Sequence, residues 1–348
     1  MKAQPKAQQL WFLSPHRVEV REQELPALQP DQVLVEALCS AISPGTELLV
    51  YRGQLPDTMA LDEGISAFAG QSVSYPLQYG YASVGRVIEI GAEVDSNWRD
   101  RTVFSFQAHA SHYVAEPESL IPLPHGIAPE AAVFLANMET AVNLLQDASP
   151  RIGERAVVIG QGIVGLLTSQ LLAEFPLAGL FALDGVETRR EYARRAGVTG
   201  SFDPLSDTDL AELNKRLQLE HDGGGADLVL EVSGSPQALN LAIDLCGYAG
   251  RIVVGSWYGT KRAEVNLGER FHRNRIQLLS SQVSSIAPEL SGRWDKARRF
   301  DVAWELIEKR SPQRFITHRL PLESAAKAYA LLDESPHEAL QVVFDYQA

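Results

Sequence analysis

The chain has 348 residues, enough for about two domains, and 45% of them are apolar, as in an ordinary globular protein. Its net charge of −13 argues against nucleic acid as a partner, because a phosphate backbone is met by a basic surface. Two cysteines, Cys39 and Cys246, exclude a disulfide framework and a zinc lobe held by four thiolates.

Lys2 and Lys6 precede only a short apolar run, Leu10 to Leu13, too short for a secretory signal. Residues 8–40 read as β structure. Leu10 to Leu13 and Val18 to Val20 are short strands, and Val33 to Cys39 reads as a well-buried one. Ser43-Pro44-Gly45-Thr46-Glu47 has the composition of a turn. Residues 52–79 are rich in Gly, Ser and Pro without clear periodicity, and a loop that long inside a domain is often functional. Val84 to Ile90, Arg101 to Phe106 and Ser111 to Val114 add short strands at the spacing of a small β-barrel.

Near Pro129 the pattern changes. Glu130 to Asp147 reads as a helix, and beyond residue 155 strands and helices alternate. Arg155 to Ile159 is a β-branched run. Gly160-Gln161-Gly162-Ile163-Val164-Gly165 follows at once, with its glycines in the G-x-G-x-x-G pattern, and Leu166 to Phe175 is apolar at helical spacing. A second apolar run, Gly179 to Leu183, ends on Asp184, 19 residues past Gly165. Each part suits a dinucleotide. Gly160 permits the turn, Gly162 lets the backbone approach a pyrophosphate, and Gly165 lets the helix pack on the sheet. The helix N-terminus offers amide groups to phosphate, and the acid about 20 residues on accepts from a ribose. The window from Ala156 to Phe175 is the most apolar long one, yet it holds Gln161, Thr168, Ser169, Gln170 and three glycines, so it is not a membrane span. A soluble, cytoplasmic protein is expected.

The alternation continues to the sixth strand. Glu187 to Ala196 is a helix, Ser201 to Asp203 a strand, Asp207 to Leu219 a helix and Ala226 to Val232 the fourth strand. Pro236 to Cys246 is a helix, Arg251 to Gly255 the fifth strand and Ile276 to Ser281 the sixth. The expected fold is α/β, a doubly wound parallel sheet joined to a β-rich domain. Ser233, just beyond the fourth strand, and Gly255, at the end of the fifth, join the expected cofactor site. A helix from Arg293 to about Lys309, a strand Ile316 to Leu320, a helix Leu322 to Leu332 and a strand Gln341 to Tyr346 complete the chain.

Taken whole, the chain resembles the medium-chain dehydrogenase/reductase superfamily of zinc alcohol dehydrogenases and quinone reductases. Tyr79-Gly80-Tyr81-Ala82-Ser83-Val84-Gly85-Arg86-Val87 resembles the family's Gly-His-Glu strand entry, and Arg99-Asp100-Arg101-Thr102-Val103 its Gly-Asp-Arg-Val turn. Pro122-Leu123-Pro124 precedes a helix as in the family, and Thr140-Ala141 resembles a pair near the nicotinamide. Ser40 to Glu47 and Tyr51-Arg52-Gly53 look closest to the branch containing bacteriochlorophyllide dehydrogenase. The resemblance implies a GroES-like β-barrel domain over residues 1–137 and a Rossmann domain over 138–285. A C-terminal return to the first domain over 286–348 completes it. It implies hydride transfer with NAD, or NADP, on a small-molecule substrate. It also implies a homodimer or higher homo-oligomer, built by pairing the sixth strand with its symmetry mate.

The departures concern the metal. The positions matching the family's catalytic zinc ligands are Ser43, Tyr81 and Ala136, none of which supplies thiolate, imidazole or carboxylate. The expectation is therefore no zinc. Polarising a substrate oxygen then falls to hydrogen-bond donors and a proton source. Tyr81 either faces a substrate carbonyl or packs the cleft. Thr46 matches a proton-relay hydroxyl or stabilises a turn. Ser43 is a further donor. Glu47 and Glu139 are acids that either act on substrate or serve as buried structural partners. His109 and His112 are a poor metal pair, because an offset of three on a strand faces them apart, though one of them, His109, is a candidate for the cleft. Cys39 and Cys246 read as core residues. Arg293-Trp294 and Arg298-Arg299 read as a solvated helix face or as the wall of a pocket for a flat or acidic substrate.

Three readings remain at this point: a zinc-free alcohol/carbonyl dehydrogenase, a zinc-free enone or quinone reductase, and a nucleotide-binding protein without turnover. Asp184 should repel a 2′-phosphate and favour NAD, while Arg189 and Arg190 lie where they can accommodate NADP.

Overall fold

The computed structural model describes residues 6–56 and 73–347. Lys2 and residues 57–72 of the long Gly-, Ser- and Pro-rich segment lie outside the described residues. The chain begins with β1 (Lys6–Ser14) and β2 (Arg17–Glu24), an antiparallel pair. Next come β3 (Val33–Ala41), α1 (Pro44–Tyr51), β4 (Ser83–Ile90), β5 (Thr102–Ser105), β6 (His112–Ala115) and β7 (Leu120–Pro122). The helix expected over 130–147 is two, α2 (Pro129–Ala132) and α3 (Leu135–Ala148). The alternating region runs through β8 (Arg155–Ile159), α4 (Ile163–Leu172), β9 (Gly179–Leu183), α5 (Glu187–Arg195) and β10 (Gly200–Phe202). It continues with α6 (Asp207–Leu217), β11 (Ala226–Glu231), α7 (Ala238–Leu245), β12 (Cys246–Val254) and β13 (Gln277–Ser280). The chain ends with α8 (Lys296–Arg310), β14 (Ile316–Pro321), α9 (Ala325–Glu334) and β15 (Gln341–Asp345).

Two compact units form, Met1–Ala136 with Trp304–Ala348, and Asn137–Ala303. In the first, a seven-stranded sheet has the order β14-β15-β3-β4-β5-β7, with β6 also paired on β3. The strand β15 runs antiparallel to β3, pairing Val343 with Ala41, so the later segment of this unit joins the sheet of the earlier one. Val33, Val35, Val87 and Val103 fill its core with Tyr113 and Leu120, as alternation on half-buried strands requires.

One local expectation fails here. Ser43 to Glu47 is not a turn but the start of α1. Pro44 occupies the first helical position, where its missing N–H costs nothing. Glu47, one turn in, accepts the backbone N–H of Ser43 at 2.7 Å. Turn-forming composition gives way to a cap supplied from within the helix.

The second unit holds a six-stranded parallel sheet in the order β10-β9-β8-β11-β12-β13. β9, and β8 after its opening Arg155, are unbroken apolar runs because both faces of the sheet are covered. Val157, Leu183, Leu213 and Ile252 pack on one side, and Leu144, Val158, Leu172 and Leu230 on the other. The strand order reverses between β8 and β11, and in open α/β sheets ligands bind at that switch point, outside the carboxyl ends of the strands. Cys39 lies in β3 and Cys246 at the start of β12; both are buried, and burial pushes each thiol up to about 12.

The arginine run on α8 also differs from a solvated face. Arg299 is fully buried and donates to Glu139 at 2.8 and 3.0 Å and to Asn143 at 2.6 Å. It also donates to the carbonyls of Ser285 and Val283, and Lys296 lies 3.2 Å from the same carboxylate. Glu139 is therefore a structural partner. Arg293 and Trp294 precede α8, and Arg298 stacks its guanidinium 4.1 Å from the Trp294 ring centroid. Removing one member of a buried pair strands the other. Arg299→Met should cost about 3 kcal/mol in urea unfolding. A loss under about 1 kcal/mol would show that Lys296 and solvent satisfy Glu139 without it.

Candidate active site

The glycine turn between β8 and α4 has the geometry that its sequence implies. Gly160 has φ +95°, a left-handed backbone that favours glycine. A Cβ there would also lie 2.6 Å from the Ser233 Cα. A Cβ on Gly165 would overlap the carbonyl oxygen of Gly160, so α4 reaches the turn only because that position is bare. Gly162 differs. A Cβ there meets nothing within 4 Å, and its φ of −67° is open to any residue. The open space above it is the cradle that a pyrophosphate would fill. Gly162 is the N-cap of α4 and no side chain caps the helix, so the first amides of Ile163 and Val164 are left for an anion. The Gln161 side chain turns inward, donating to the Val158 carbonyl and accepting from Ser169, so it does not reach toward a ligand.

Asp184 stands at the end of β9. One carboxylate oxygen accepts the Gln161 N–H at 2.7 Å and the other the Val186 N–H at 2.8 Å. The carboxylate is thus oriented by the backbone, with lone pairs left over for ribose hydroxyls. Arg189 lies 4.0 Å from it. Arg190 is committed elsewhere, to Glu187, Asp203 and the Asp184 carbonyl. Thr140 lies half-buried on α3. Ser233 is exposed just past β11, and its N–H and hydroxyl both donate to Glu231. Gly255 has a packing reason to be glycine, since a Cβ there would lie 2.6 Å from the Leu144 side chain. These residues fit a dinucleotide.

In the first unit, three hydroxyls converge where α1 meets the entry to β4. The half-buried Tyr81 donates to Ser43 and lies 3.2 Å from the Thr46 hydroxyl. Glu47 sits behind them, fully buried. It accepts the Ser43 N–H, the Tyr329 hydroxyl and His109 Nε2 at 3.0 Å. Its oxygens are taken, so Glu47 orients the cluster and does not itself meet substrate. His109 is also fully buried, with Nδ1 2.7 Å from the Ser40 hydroxyl, which in turn lies 2.8 Å from that of Tyr346. His109 therefore does not open to a cleft, and His112 takes a different partner, Ser111. Burial, and then Glu47, pushes the Tyr329 hydroxyl well above its usual range. Burial raises Tyr346 as well. Ser40, Tyr329 and Tyr346 escaped the sequence reading, because Tyr329 and Tyr346 meet their partners across some 300 residues.

At the positions that the resemblance assigns to zinc ligands stand two hydroxyls bonded to each other, Ser43 and Tyr81, and the methyl of Ala136. Among the described residues, no three His, Cys, Asp or Glu side chains are grouped as a metal requires. The donor set does not fit zinc. Among the described residues, no helix is long and apolar enough to cross a membrane.

The two glycine positions separate folding from binding. Gly162→Val should unfold at nearly the wild-type temperature yet bind NADH at least about 100-fold more weakly, because it fills only the cradle. Gly165→Ala should instead lose about 2 kcal/mol or more of stability through overlap with Gly160. Calorimetry beside NADH fluorescence titration checks both, and undiminished NADH binding by Gly162→Val would remove the cradle from the site.

Comparison with known proteins supplies the lineage. Residues 164–300 match the family model for zinc-binding dehydrogenases. D-Guloside 3-dehydrogenase of Escherichia coli K12 is 25% identical over 308 residues, 84% of this chain and 86% of the relative. A short chain alcohol dehydrogenase of E. coli CFT073 in complex with NADH superposes with a TM-score of 0.76 at 18% identity, over 98% of this chain and 99% of that one. A putative zinc-binding dehydrogenase of Sinorhizobium meliloti 1021 bound to NADP gives 0.74 at 18%, over 98% and 100%. With its parallel nucleotide sheet, its β-rich partner unit and these relatives, the chain belongs to the zinc-type alcohol-dehydrogenase-like, medium-chain dehydrogenase/reductase superfamily and is an oxidoreductase.

Proposed function

We propose that the protein is an NAD-dependent dehydrogenase that interconverts an alcohol and a carbonyl without zinc. The unit Asn137–Ala303 takes the cofactor, and the β-rich unit supplies the groups that meet the substrate. The observation that carries this reading is the Tyr81–Ser43–Thr46 hydroxyl cluster, in which Ser43 and Tyr81 occupy positions that the sequence resemblance assigns to zinc ligands. A bound nicotinamide supplies the hydride chemistry. Tyr81 donates a hydrogen bond to the substrate oxygen and exchanges a proton with it, and Ser43 and Thr46 share that proton. Glu47 fixes Ser43 through its N–H. The relative named for a guloside supports a hydroxylated small molecule as the substrate class.

An assay of alcohols, ketones, enones and quinones with NADH and NADPH identifies the reaction. With the best substrate found, Tyr81→Phe should lower kcat by about 10²–10³ while the Kd for NADH stays within about twofold. Protein purified without a metal-binding tag should contain little zinc and keep its activity in chelator. About one zinc per chain, with chelator inactivation reversed by added zinc, would overturn the metal-free mechanism.

Cofactor choice follows from Asp184. Its charge disfavours a 2′-phosphate, and Arg190 is held by Glu187 and Asp203. The kcat/KM should favour NADH over NADPH, and equality or the reverse order would place Arg189 on the phosphate.

For assembly, β13 lies at the sheet edge with Leu278 and Leu279 exposed, at 43% and 37%. A bare apolar edge pairs readily, and we place a second copy of the chain there. Light scattering should give at least twice 38.2 kDa, and a monomer mass at micromolar concentration would refute the pairing.

A further inference from the structure

Beyond the strand ends, a second buried carboxylate ties together two loops that no sequence motif connects. Glu231, the last residue of β11, is fully buried. One of its oxygens accepts the Ser233 N–H at 2.8 Å and the Ser233 hydroxyl. The other accepts the Tyr258 hydroxyl at 2.5 Å, from the loop after β12. Two further ties run between the same loops. Gly234 donates its N–H to the Ser256 hydroxyl at 2.9 Å, and the Lys261 ammonium donates to the Gly234 carbonyl. On its other side, the Ser233 backbone rests against Gly160, close enough that a Cβ there would collide with it. The chain of contacts thus runs from the glycine turn through Ser233 and Glu231 to Tyr258.

The position of this chain in the sheet says which half of a dinucleotide it meets. The adenosine half belongs to the β8-β9-β10 side, where Asp184 stands, and the other nucleotide belongs to the β11-β12-β13 side across the switch point. We infer that Tyr258 is a positioning residue for the cofactor: through Glu231 it holds the loops after β11 and β12 in the form that receives the nicotinamide half of NADH. This rests on the nucleotide reading above. The Tyr258 hydroxyl keeps its proton, since burial and the facing carboxylate both raise it, so it remains a donor. Without that donor, one oxygen of a buried carboxylate is left unpaired, and the loops must move to bring it water.

The experiment compares two ligands that share the adenosine half and differ in the nicotinamide, NADH and ADP-ribose. If wild-type protein bound neither, the nucleotide reading itself would fail, independently of Tyr258. Tyr258→Phe should raise the Kd for NADH about tenfold and leave that for ADP-ribose within about twofold. Equal weakening of both ligands would mark general damage to the unit and overturn the inference, as would an unchanged Kd for NADH.

Discussion

At the switch point of the parallel sheet, three backbone segments lie closer together than side chains permit. Gly165 of α4 abuts the Gly160 carbonyl, and Gly160 in turn abuts Ser233 beyond β11. These contacts set where α4 begins, and with it the direction in which its free amides point. Gly162, between those two close contacts, has open space where a side chain would stand. The anion site is therefore made by packing as much as by the helix end. A turn with the same dihedrals but a looser helix would present its amides to solvent instead of across a cradle.

The β-rich unit solves a different problem. It holds three hydroxyls at one point. Glu47 provides the fixed point: it caps α1 from within, and its remaining lone pairs are taken by His109 and Tyr329. Gly80 belongs to the same arrangement, for a Cβ on it would lie 2.7 Å from the His109 ring. The residue just before Tyr81 thus rests on the same imidazole that anchors Glu47, and the tyrosine and the helix bearing Ser43 and Thr46 share one brace. Such a cluster owes its geometry to partners that do no chemistry.

What the sequence makes legible follows the range of the forces involved. β8 and β9 are read to the residue because a strand covered on both faces is a continuous apolar run, and the glycine turn is read because each glycine answers a local steric need. The start of α1 is misread as a turn because Ser43-Pro44-Gly45 has turn composition, while what secures the helix is a buried carboxylate with partners 62 and 282 residues from it. Arg299 is misread as part of a solvated face for the same reason, its partner Glu139 lying 160 residues away. Gly255 shows the converse. A glycine at a strand end resembles a ligand position, yet Leu144 on α3 explains it by packing. Residue type is visible in sequence; the distant neighbour that assigns its role is not.

The buried carboxylates of the two units divide by the kind of donor they face. Glu139 faces cations, Arg299 and Lys296, which largely neutralise it. Glu231 faces a backbone N–H and the hydroxyls of Ser233 and Tyr258, and Glu47 a backbone N–H, a tyrosine and a histidine. A carboxylate faced by backbone and hydroxyl donors, as Glu231 is, keeps its negative field, and in a low-dielectric interior that field is costly for stability. Its local effect is to hold protons on neighbouring phenols: Tyr329 beside Glu47 and Tyr258 beside Glu231 are both pushed upward, first by burial and then by the charge. Phenols held protonated serve as hydrogen-bond donors and not as bases. In the nucleotide unit that donor secures a loop. In the β-rich unit the same carboxylate chemistry lies directly behind Tyr81, Ser43 and Thr46, a surface suited to giving a hydrogen bond to an oxygen as its charge develops.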